Sequence, residues 1–403
     1  MTEIALVDCN NFFVSCEQLM NPALKNRPVC VLSNNDGCII ARSKEAKKIG
    51  IPMGYPLFKA KKEFKDVIYI SRNFGLYHDI SNRIMQRLTK YTPDVEQYSI
   101  DEAFLDLTGL KKLYRCSYEE IIAKMKKEIE EEVGVPVSIG LAPTKTLAKL
   151  ACEMAKKNDY FNGVYRIRLR EIDAILKRTN IEEIWGIGKN TTALFHKYGI
   201  YKCNEITKQN EFWLKKIWGK RGIELKAELC GISVYPVNNQ IEQPKSIQKS
   251  SAFSTFTSDK EYIKSSLHYH SHQICSKLRK LGLQTEIVSV MLRTKDFRVF
   301  VEKIVLPEAT DSEFVINQYA DKLLNKIFNS EIIYRASGIF AEKLSEKATS
   351  QLFLFEDEKT QKVKKLTQVI DNLENKYGRN CLQIGVTKDP QEDSKNHPQT
   401  FFS

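Results

Sequence analysis

Hydrophobic residues recur in this chain at two spacings, and the spacing changes from segment to segment. Alternation at every second position predicts a strand with one buried side, and recurrence every three to four positions predicts an amphipathic helix. Before residue 145 the predicted elements are a strand at 3–8, a helix at 73–91, strands at 94–99 and 103–107, a helix at 117–133 and a strand at 135–141. The buried face of the first helix is predicted to carry Tyr77, Ile80, Ile84, Leu88 and Tyr91.

This order of elements, strand-helix-strand-strand-helix-strand, predicts an α+β unit of the ferredoxin-like type. Ser117 and Glu120 form a capping-box pattern at the start of its second helix. The segment 11–72 is rich in Asn, Gly and Pro, and it is predicted to be an irregular insertion with one short helix at 41–48. The segment 171–235 is predicted to be helical.

A polar linker is predicted at 236–248, and the same order of elements recurs after it. The predicted elements there are strands at 250–256, 285–293, 298–306 and 332–340 and helices at 259–281 and 312–328. This second unit is expected to share the topology of the first. It lacks a comparable group of acids, so it is predicted to bind rather than to catalyse. The remainder of the chain is a polar tail with one amphipathic stretch.

Three acids stand where predicted strands end. Asp8 closes the first strand, and Asp101 and Glu102 lie in the turn between the two hairpin strands. Buried carboxylates that converge need a cation beside them, and their oxygens are ligands that suit Mg²⁺. Two Mg²⁺ ions held by shared carboxylates catalyse nucleotidyl transfer. The alternative is that Asp8 caps a turn and the other two acids are surface residues. Asp106 is interpreted as structural.

The charge balance indicates a polyanionic partner. The chain has 62 Lys and Arg against 50 Asp and Glu, for a net charge of +12, and the cations are dispersed. A folded protein with basic faces favours nucleic acid as partner, although a merely basic enzyme has the same composition. The ten cysteines show no zinc-ligand spacing, so they are interpreted as reduced thiols of a cytoplasmic protein. No apolar run is long enough to cross a bilayer.

Cations and aromatic residues surround the predicted acids in sequence. Lys145, Lys149, Cys152 and Lys156 fall on one helical face, which either binds phosphates or is simply solvated. The cations of 41–48 could hold a triphosphate. Phe12 and Phe13 follow Asp8, and alternation would put one in the core and the other over the site, although both could be core residues.

Three further motifs have weaker signals. Trp185, Gly186 and Gly188 have helix-hairpin-helix character, in which backbone N–H groups approach a DNA phosphate. The apolar pentapeptide 351–355 in the polar tail is predicted to dock into a partner's groove, or else to form an extra edge strand. The three histidines at 268, 270 and 272 have no acid or cysteine at matching spacing, and they are interpreted as plain surface residues.

Taken together, these motifs resemble the Y-family of translesion DNA polymerases, and within it the bacterial UmuC-like branch. The resemblance runs from the N-terminus to about residue 385 and is carried by the segments 6–17, 33–38, 98–104, 142–149 and 185–188. It implies a right-hand polymerase. The implied domains are a palm at 1–10 and 73–170, fingers at 11–72, a helical thumb at 171–235, a linker at 236–248, a little finger at 249–342 and a tail at 343–403.

The resemblance also implies a role for individual residues. Asp8, Asp101, Glu102 and the Cys9 carbonyl would bind two Mg²⁺ ions, and Phe13 would be the steric gate that excludes ribonucleotides. The nucleotide would be contacted by Phe12, Phe13, Cys38, Ile40, Lys44, Lys47 and Lys156, and DNA by Lys145, Gly186 and Gly188. Lys44 stands where many relatives carry a tyrosine, which weakens the implied contacts of the fingers. The pentapeptide that would bind the sliding clamp is Gln351, Leu352, Phe353, Leu354 and Phe355.

The implied activity is template-directed, low-fidelity DNA synthesis past damaged bases in the SOS response, without proofreading. The implied partners are primer-template DNA, an incoming deoxynucleotide, the sliding clamp, a RecA filament and a UmuD-type accessory protein. A nucleotide cyclase would share the palm but leave the helix-hairpin-helix and the second basic unit unexplained. A non-catalytic DNA- and clamp-binding factor is the other alternative, and the retained acids and Lys156 argue against it.

Overall fold

The structure is a computed structural model, and it describes residues 2–240, 243–346 and 358–377. The chain divides into two compact units between Ile241 and Glu242, which lies inside the predicted linker. The finer domain boundaries stay predictions. Within the described residues no helix is long and apolar enough to span a membrane.

The first unit is built on a five-stranded sheet, a smaller three-stranded sheet and a set of short helices. Its elements are β1 (Ile4–Cys9), α1 (Phe12–Met20), β2 (Val29–Leu32), β3 (Ile39–Arg42), α2 (Lys44–Lys48), α3 (Leu57–Glu63), β4 (Ile68–Ser71), α4 (Phe74–Leu88), β5 (Val95–Gln97), β6 (Glu102–Asp106), α5 (Leu110–Tyr114), α6 (Tyr118–Glu132), β7 (Val137–Ala142), α7 (Lys145–Lys157), β8 (Val164–Arg166), α8 (Ile172–Arg178), α9 (Lys189–Lys197), α10 (Cys203–Thr207), α11 (Glu211–Trp218) and α12 (Lys220–Leu229).

The large sheet has the strand order β5-β6-β1-β7-β8, which confirms the ferredoxin-like prediction and adds β8 at one edge. Because side chains alternate along a strand, β1 contributes to two cores. Ala5 and Val7 pack with α4 and α6 on one face, whereas Ile4 and Leu6 pack with α7 on the other. All five residues of the predicted face of α4 are buried, although the helix ends at Leu88 and Tyr91 lies beyond it.

Side-chain caps begin two of the helices, and the first of these caps was predicted from the sequence. The backbone N–H of Glu120 donates to the Ser117 hydroxyl at 3.2 Å, and the backbone N–H of Ser117 donates to the Glu120 carboxylate at 2.6 Å. This reciprocal capping box starts α6 at Tyr118. Asn73 caps α4 by accepting from the backbone N–H of Leu76.

Helix α7 lies directly on the backbone of β7 at Gly140. A Cβ atom at this position would stand 2.2 Å from the carbonyl oxygen of Ala148 and 2.2 Å from the backbone nitrogen of Cys152. Only a glycine leaves room for that approach. The contact fixes the distance between α7 and the sheet.

The segment 11–72 is more regular than predicted. It contains α1 and a sheet of order β3-β2-β4, in which β2 pairs antiparallel with β3 and parallel with β4. The predicted helix at 41–48 is wrong in its first half, because residues 39–42 form β3. Ser43 accepts a hydrogen bond from the Ala46 backbone at 3.1 Å, so its cap delays the helix start to Lys44.

The second unit has the predicted order of elements but not the topology of the first. Its sheet order is β11-β10-β12-β9, with every neighbouring pair antiparallel, so its first strand lies at an edge instead of in the centre. The expectation of a shared topology is therefore wrong. The elements are β9 (Ser246–Thr257), α13 (Lys260–Lys280), β10 (Leu283–Thr294), β11 (Val299–Thr310), α14 (Glu313–Ile327), β12 (Tyr334–Glu346) and α15 (Glu358–Tyr377).

The interpretation of the α13 histidines as plain surface residues is also wrong. His270 is fully buried, and His272 lies between two carboxylates: its Nδ1 is 2.8 Å from Glu313 and its Nε2 is 2.8 Å from Glu374 of the tail helix α15. One turn further, Arg279 binds both carboxylate oxygens of Asp371 at 2.7 Å. These charged contacts attach α15 to α13.

Candidate active site

The three predicted acids come together at the end of the large sheet. Asp8 on β1 is directly opposite Glu102 on β6 in the strand register, so both side chains are on the α7 face. Asp101 lies in the turn just before β6, where its carbonyl accepts from the Cys9 N–H at 2.9 Å and its carboxylate accepts from the Ser99 hydroxyl at 2.5 Å. The hairpin thus brings both of its acids to the end of β1.

Helix α7 supplies the cations that are paired with two of these acids. The Lys156 ammonium is 2.7 Å from Asp8, and the Lys149 ammonium is 2.8 and 2.9 Å from the two oxygens of Glu102. Lys145 is only 4% exposed and is paired with Glu96 at 2.5 Å. Lys145 is thus paired with a carboxylate of its own unit, and its DNA contact stays a prediction.

The pKa values of Asp8 and Glu102 are shifted in opposite directions. Burial raises the pKa of Asp8 to about 7, the hydrogen bond with Glu102 adds to this shift, and Lys156 opposes it. Burial also disfavours ionisation of Glu102, but hydrogen bonds with Asp8 and Lys149 outweigh it and lower the pKa of Glu102. A divalent cation bound beside the pair would favour the ionised form of Asp8 and oppose the effect of burial.

A cavity of about 260 Å³ opens beside these acids, between the large sheet and the segment that carries β3 and α2. It brings together eight of the predicted site residues: Asp8, Cys9, Phe12, Phe13, Ile40, Lys47, Asp101 and Lys156. Four lining residues were missed by the sequence analysis: Asn11, Ala41, Arg42 and Met53. Only the cationic run 41–48 hinted at Arg42.

Three cations converge on this cavity. Burial together with the positive charges of Arg42 and Lys156 lowers the pKa of Lys47. Lys47 donates to the side chain of Asn11, and Arg42 donates to the backbone carbonyl of Ile51. Among the described residues, none accepts a hydrogen bond from the buried Arg42 Nε. Mutual repulsion between these cations would be relieved by a bound polyanion.

The aromatic residues after Asp8 take the two predicted positions for a different reason. They begin helix α1 instead of continuing a strand, so they differ in direction by the helical turn. Phe12 is 3% exposed in the core, whereas Phe13 stacks on Tyr77 with ring centres 4.5 Å apart and forms a wall of the cavity.

Comparisons with known proteins match this fold over most of the chain. The impB/mucB/samB family matches at residues 7–153, and the C-terminal domain of that family matches at 244–354. Protein UmuC of Salmonella typhimurium is 32% identical over 94% of this chain and 92% of its own length. A Y-family DNA polymerase chimera of Dbh and Dpo4 is similar in structure, with a TM-score of 0.73 and 27% identity over 85% of this chain and 99% of its own.

This chain belongs to the Y-family of DNA polymerases. It is a translesion DNA-directed DNA polymerase, and DNA and deoxynucleotides are its partners. DNA polymerase IV 1 of Bacillus subtilis is 30% identical over 98% of this chain and 95% of its own length, which is close to the identity of the UmuC relative. The insertion ternary complex of Dbh polymerase has a TM-score of 0.59 at 26% identity, over 85% of this chain and 99% of its own.

Several residues with a predicted role in the polymerase lie away from the cavity. Lys44 is exposed on α2, and Cys38 is hydrogen-bonded to Ser33 through its backbone N–H at 3.1 Å. Neither belongs to the cavity lining. The clamp-binding pentapeptide 351–355 lies outside the described residues.

The predicted hairpin of the thumb leads into α9 through two glycines. Gly186 has a φ of 87°, in the left-handed region that glycine favours, and Gly188 is the N-cap of α9. Side-chain atoms at either glycine would meet no neighbouring atom within 4 Å. The hairpin backbone is therefore open to a close approach.

Y-family polymerases use divalent metal ions, and the donors in this site fit such an ion. Within the described part of the chain, no group of three or more His, Cys, Asp or Glu side chains could hold a metal by itself. Mg²⁺, however, is usually held by one or two carboxylates together with waters and substrate phosphates. Asp8, Asp101 and Cys9 line one cavity, and the two carboxylates and the Cys9 carbonyl are oxygen donors.

Proposed function

We propose that this polymerase copies DNA past damaged bases by two-metal nucleotidyl transfer at Asp8, Asp101 and Glu102. The observation that supports this proposal best is geometric: Asp8 faces Glu102 across the sheet, and Asp8 and Asp101 line a substrate-sized cavity. Asp8 and Asp101 would hold both Mg²⁺ ions, with the Cys9 carbonyl as a further ligand. When bound, the ions supply Lewis acidity to the primer hydroxyl and to the triphosphate.

The cations around the cavity suit the triphosphate of the incoming nucleotide. Lys156, Lys47 and Arg42 would bind its phosphate oxygens and stabilise the charge of the leaving pyrophosphate. Lys156, which is 2.7 Å from Asp8 in this structure, would pair with the triphosphate instead when Asp8 holds metal. The hairpin of Gly186 and Gly188 would hold a DNA phosphate through its backbone, without reading sequence.

Primer extension on two templates tests the proposed activity. With Mg²⁺ and the full chain, we expect short, distributive extension on an undamaged template and continued synthesis across an abasic site. Misinsertion opposite undamaged bases is expected to be frequent, because the proposed activity does not include proofreading of the inserted nucleotide. Extension that always stops at the lesion, with normal synthesis before it, would contradict the bypass activity.

The Phe13 ring is expected to exclude ribonucleotides. Replacing Phe13 by alanine removes the ring from the cavity wall, which leaves space for a 2′-hydroxyl. We expect discrimination against ribonucleotides to fall by about a hundredfold, measured as the ratio of kcat/KM for the two sugars. Phe74→Ala is the matched control, since Phe74 packs edge-on against Phe13 and Tyr77 but does not line the cavity. Equal ratios in the two variants would contradict the role of Phe13.

The partners beyond DNA and nucleotide are proposed from the tail sequence and the family resemblance. Gln351, Leu352, Phe353, Leu354 and Phe355 would dock on a sliding clamp, and a RecA filament and a UmuD-type protein would join in the cytoplasm. Fluorescence anisotropy of a peptide spanning 349–357 with purified clamp measures the first contact. A Phe353→Ala peptide that binds equally well would contradict it.

A further inference from the structure

Lys149 lies between a catalytic carboxylate and the aromatic rings of two different segments. Its ammonium nitrogen is 2.8 and 2.9 Å from the two oxygens of Glu102. The same nitrogen is 5.4 Å from the ring centre of Tyr98 and 5.9 Å from that of Trp185. The two rings are nearly perpendicular, with centres 5.4 Å apart. The ammonium therefore has a carboxylate and two ring contacts within reach.

This geometry offers the ammonium two competing attractions. Lys149 donates to both oxygens of Glu102, so a divalent cation that binds Glu102 competes with the ammonium for these oxygens and repels its positive charge. A ring within about 6 Å attracts a cation through its quadrupole, and this attraction persists when the carboxylate is taken by a metal. Since the Lys149 side chain is 21% exposed, it has room to move.

We propose that Lys149 competes with the divalent cation for Glu102, and that Trp185 sets the balance by giving the displaced ammonium a place to bind. Lys149 and Trp185 are thus positioning residues of the metal site. The inference rests on the proposed function, because it takes Glu102 as a metal ligand. Trp185 directly precedes Gly186, so the competition links metal loading to the hairpin that is proposed to hold DNA.

The test is the affinity of the full chain for Mn²⁺, measured by electron paramagnetic resonance without DNA or nucleotide. Lys149→Met removes the competing cation, and we expect Mn²⁺ to bind roughly tenfold more tightly. Trp185→Leu keeps an apolar side chain but removes the ring, and we expect binding to weaken about two- to fivefold. In the double variant the Trp185 change is expected to have no effect, because its action requires Lys149.

Two controls separate this competition from simpler effects. Lys126→Met removes a similarly buried lysine that is paired with Glu130 on α6, away from the acids, and its Mn²⁺ affinity is expected to equal that of the wild type. Glu102→Gln is expected to weaken Mn²⁺ binding. Circular dichroism of each variant checks that the fold is retained.

The possible results separate a failure of this inference from a failure of the proposed function. If Glu102→Gln weakens Mn²⁺ binding but Lys149→Met leaves it unchanged or weaker, Lys149 merely orients Glu102 and the inference is wrong. If Trp185→Leu weakens binding equally with and without Lys149, the role given to Trp185 is wrong. If Glu102→Gln has no effect on Mn²⁺, both the metal role of Glu102 and the inference fail.

Discussion

Replacing Asp101 by asparagine is expected to slow primer extension by about a hundred- to a thousandfold, the effect of removing one electrostatic group from a reacting centre. The substitution removes one negative charge from the cavity and preserves the side-chain shape. An asparagine oxygen can still accept from the Ser99 hydroxyl, and the backbone bond from Cys9 to residue 101 is unaffected. Single-turnover extension with saturating Mg²⁺ measures the rate of the chemical step.

Asp106→Asn is the matched control for this prediction. Asp106 is the last residue of β6, the strand that Asp101 directly precedes. It is half-buried like Asp101 and accepts from the Thr108 N–H at 2.8 Å, which an asparagine can also do. Its extension rate is expected to stay within about twofold of the wild type. Comparable losses in both variants would indicate a damaged β6 instead of a missing metal ligand.

The stability of the second unit is expected to depend on the charge of His272. Hydrogen bonds with Glu313, which outweigh burial, and further contact with Glu374 raise the pKa of His272 from 6.5 to about 9. A raised histidine pKa stabilises the fold fully below the unfolded value and ceases to do so as the pH passes the folded value. About 3 kcal/mol of stability is therefore present at pH 6 and is lost between pH 6.5 and 9.

Calorimetry of the full chain at pH 6 and pH 10 checks this prediction. His272→Gln is expected to lower the Tm of the second unit by roughly 5–10 °C at pH 6 and to have little effect at pH 10. His268→Gln serves as control, because His268 is paired with the partly exposed Asp321 at 2.9 Å and such pairs contribute little. A His272 effect of equal size at both pH values would show that packing, not charge, is what the histidine contributes.

Residues whose chemistry is local in sequence could be predicted well. Asp101 and Glu102 interrupt an apolar run, and Asp8 ends another. Their convergence follows from the pairing of β1 with β6 in the ferredoxin-like arrangement. The capping box at Ser117 likewise depends on neighbours three residues apart. The spacing of hydrophobic residues predicted most helices and strands. An element that buries one face needs apolar side chains at every second position in a strand, or at every third to fourth position in a helix.

Features that depend on distant partners could not be predicted. The pairing of Lys145 with Glu96, which lies 49 residues earlier, is not indicated by any spacing on α7. His272 has partners 41 and 102 residues away, which no spacing on α13 reveals. The strand order of the second sheet was missed for the same reason, since two sheets can share an order of elements and differ in which strands pair.

The close contact at Gly140 has a consequence for how this active site can vary in evolution. A helix that rests on bare backbone cannot drift by even the width of a methyl group without losing contact or clashing. The lysines of α7 are therefore anchored at fixed heights above the strand ends. In descendants of this polymerase, the site can therefore change by substitution of side chains at fixed positions of α7, but not by a gradual shift of the helix along the sheet.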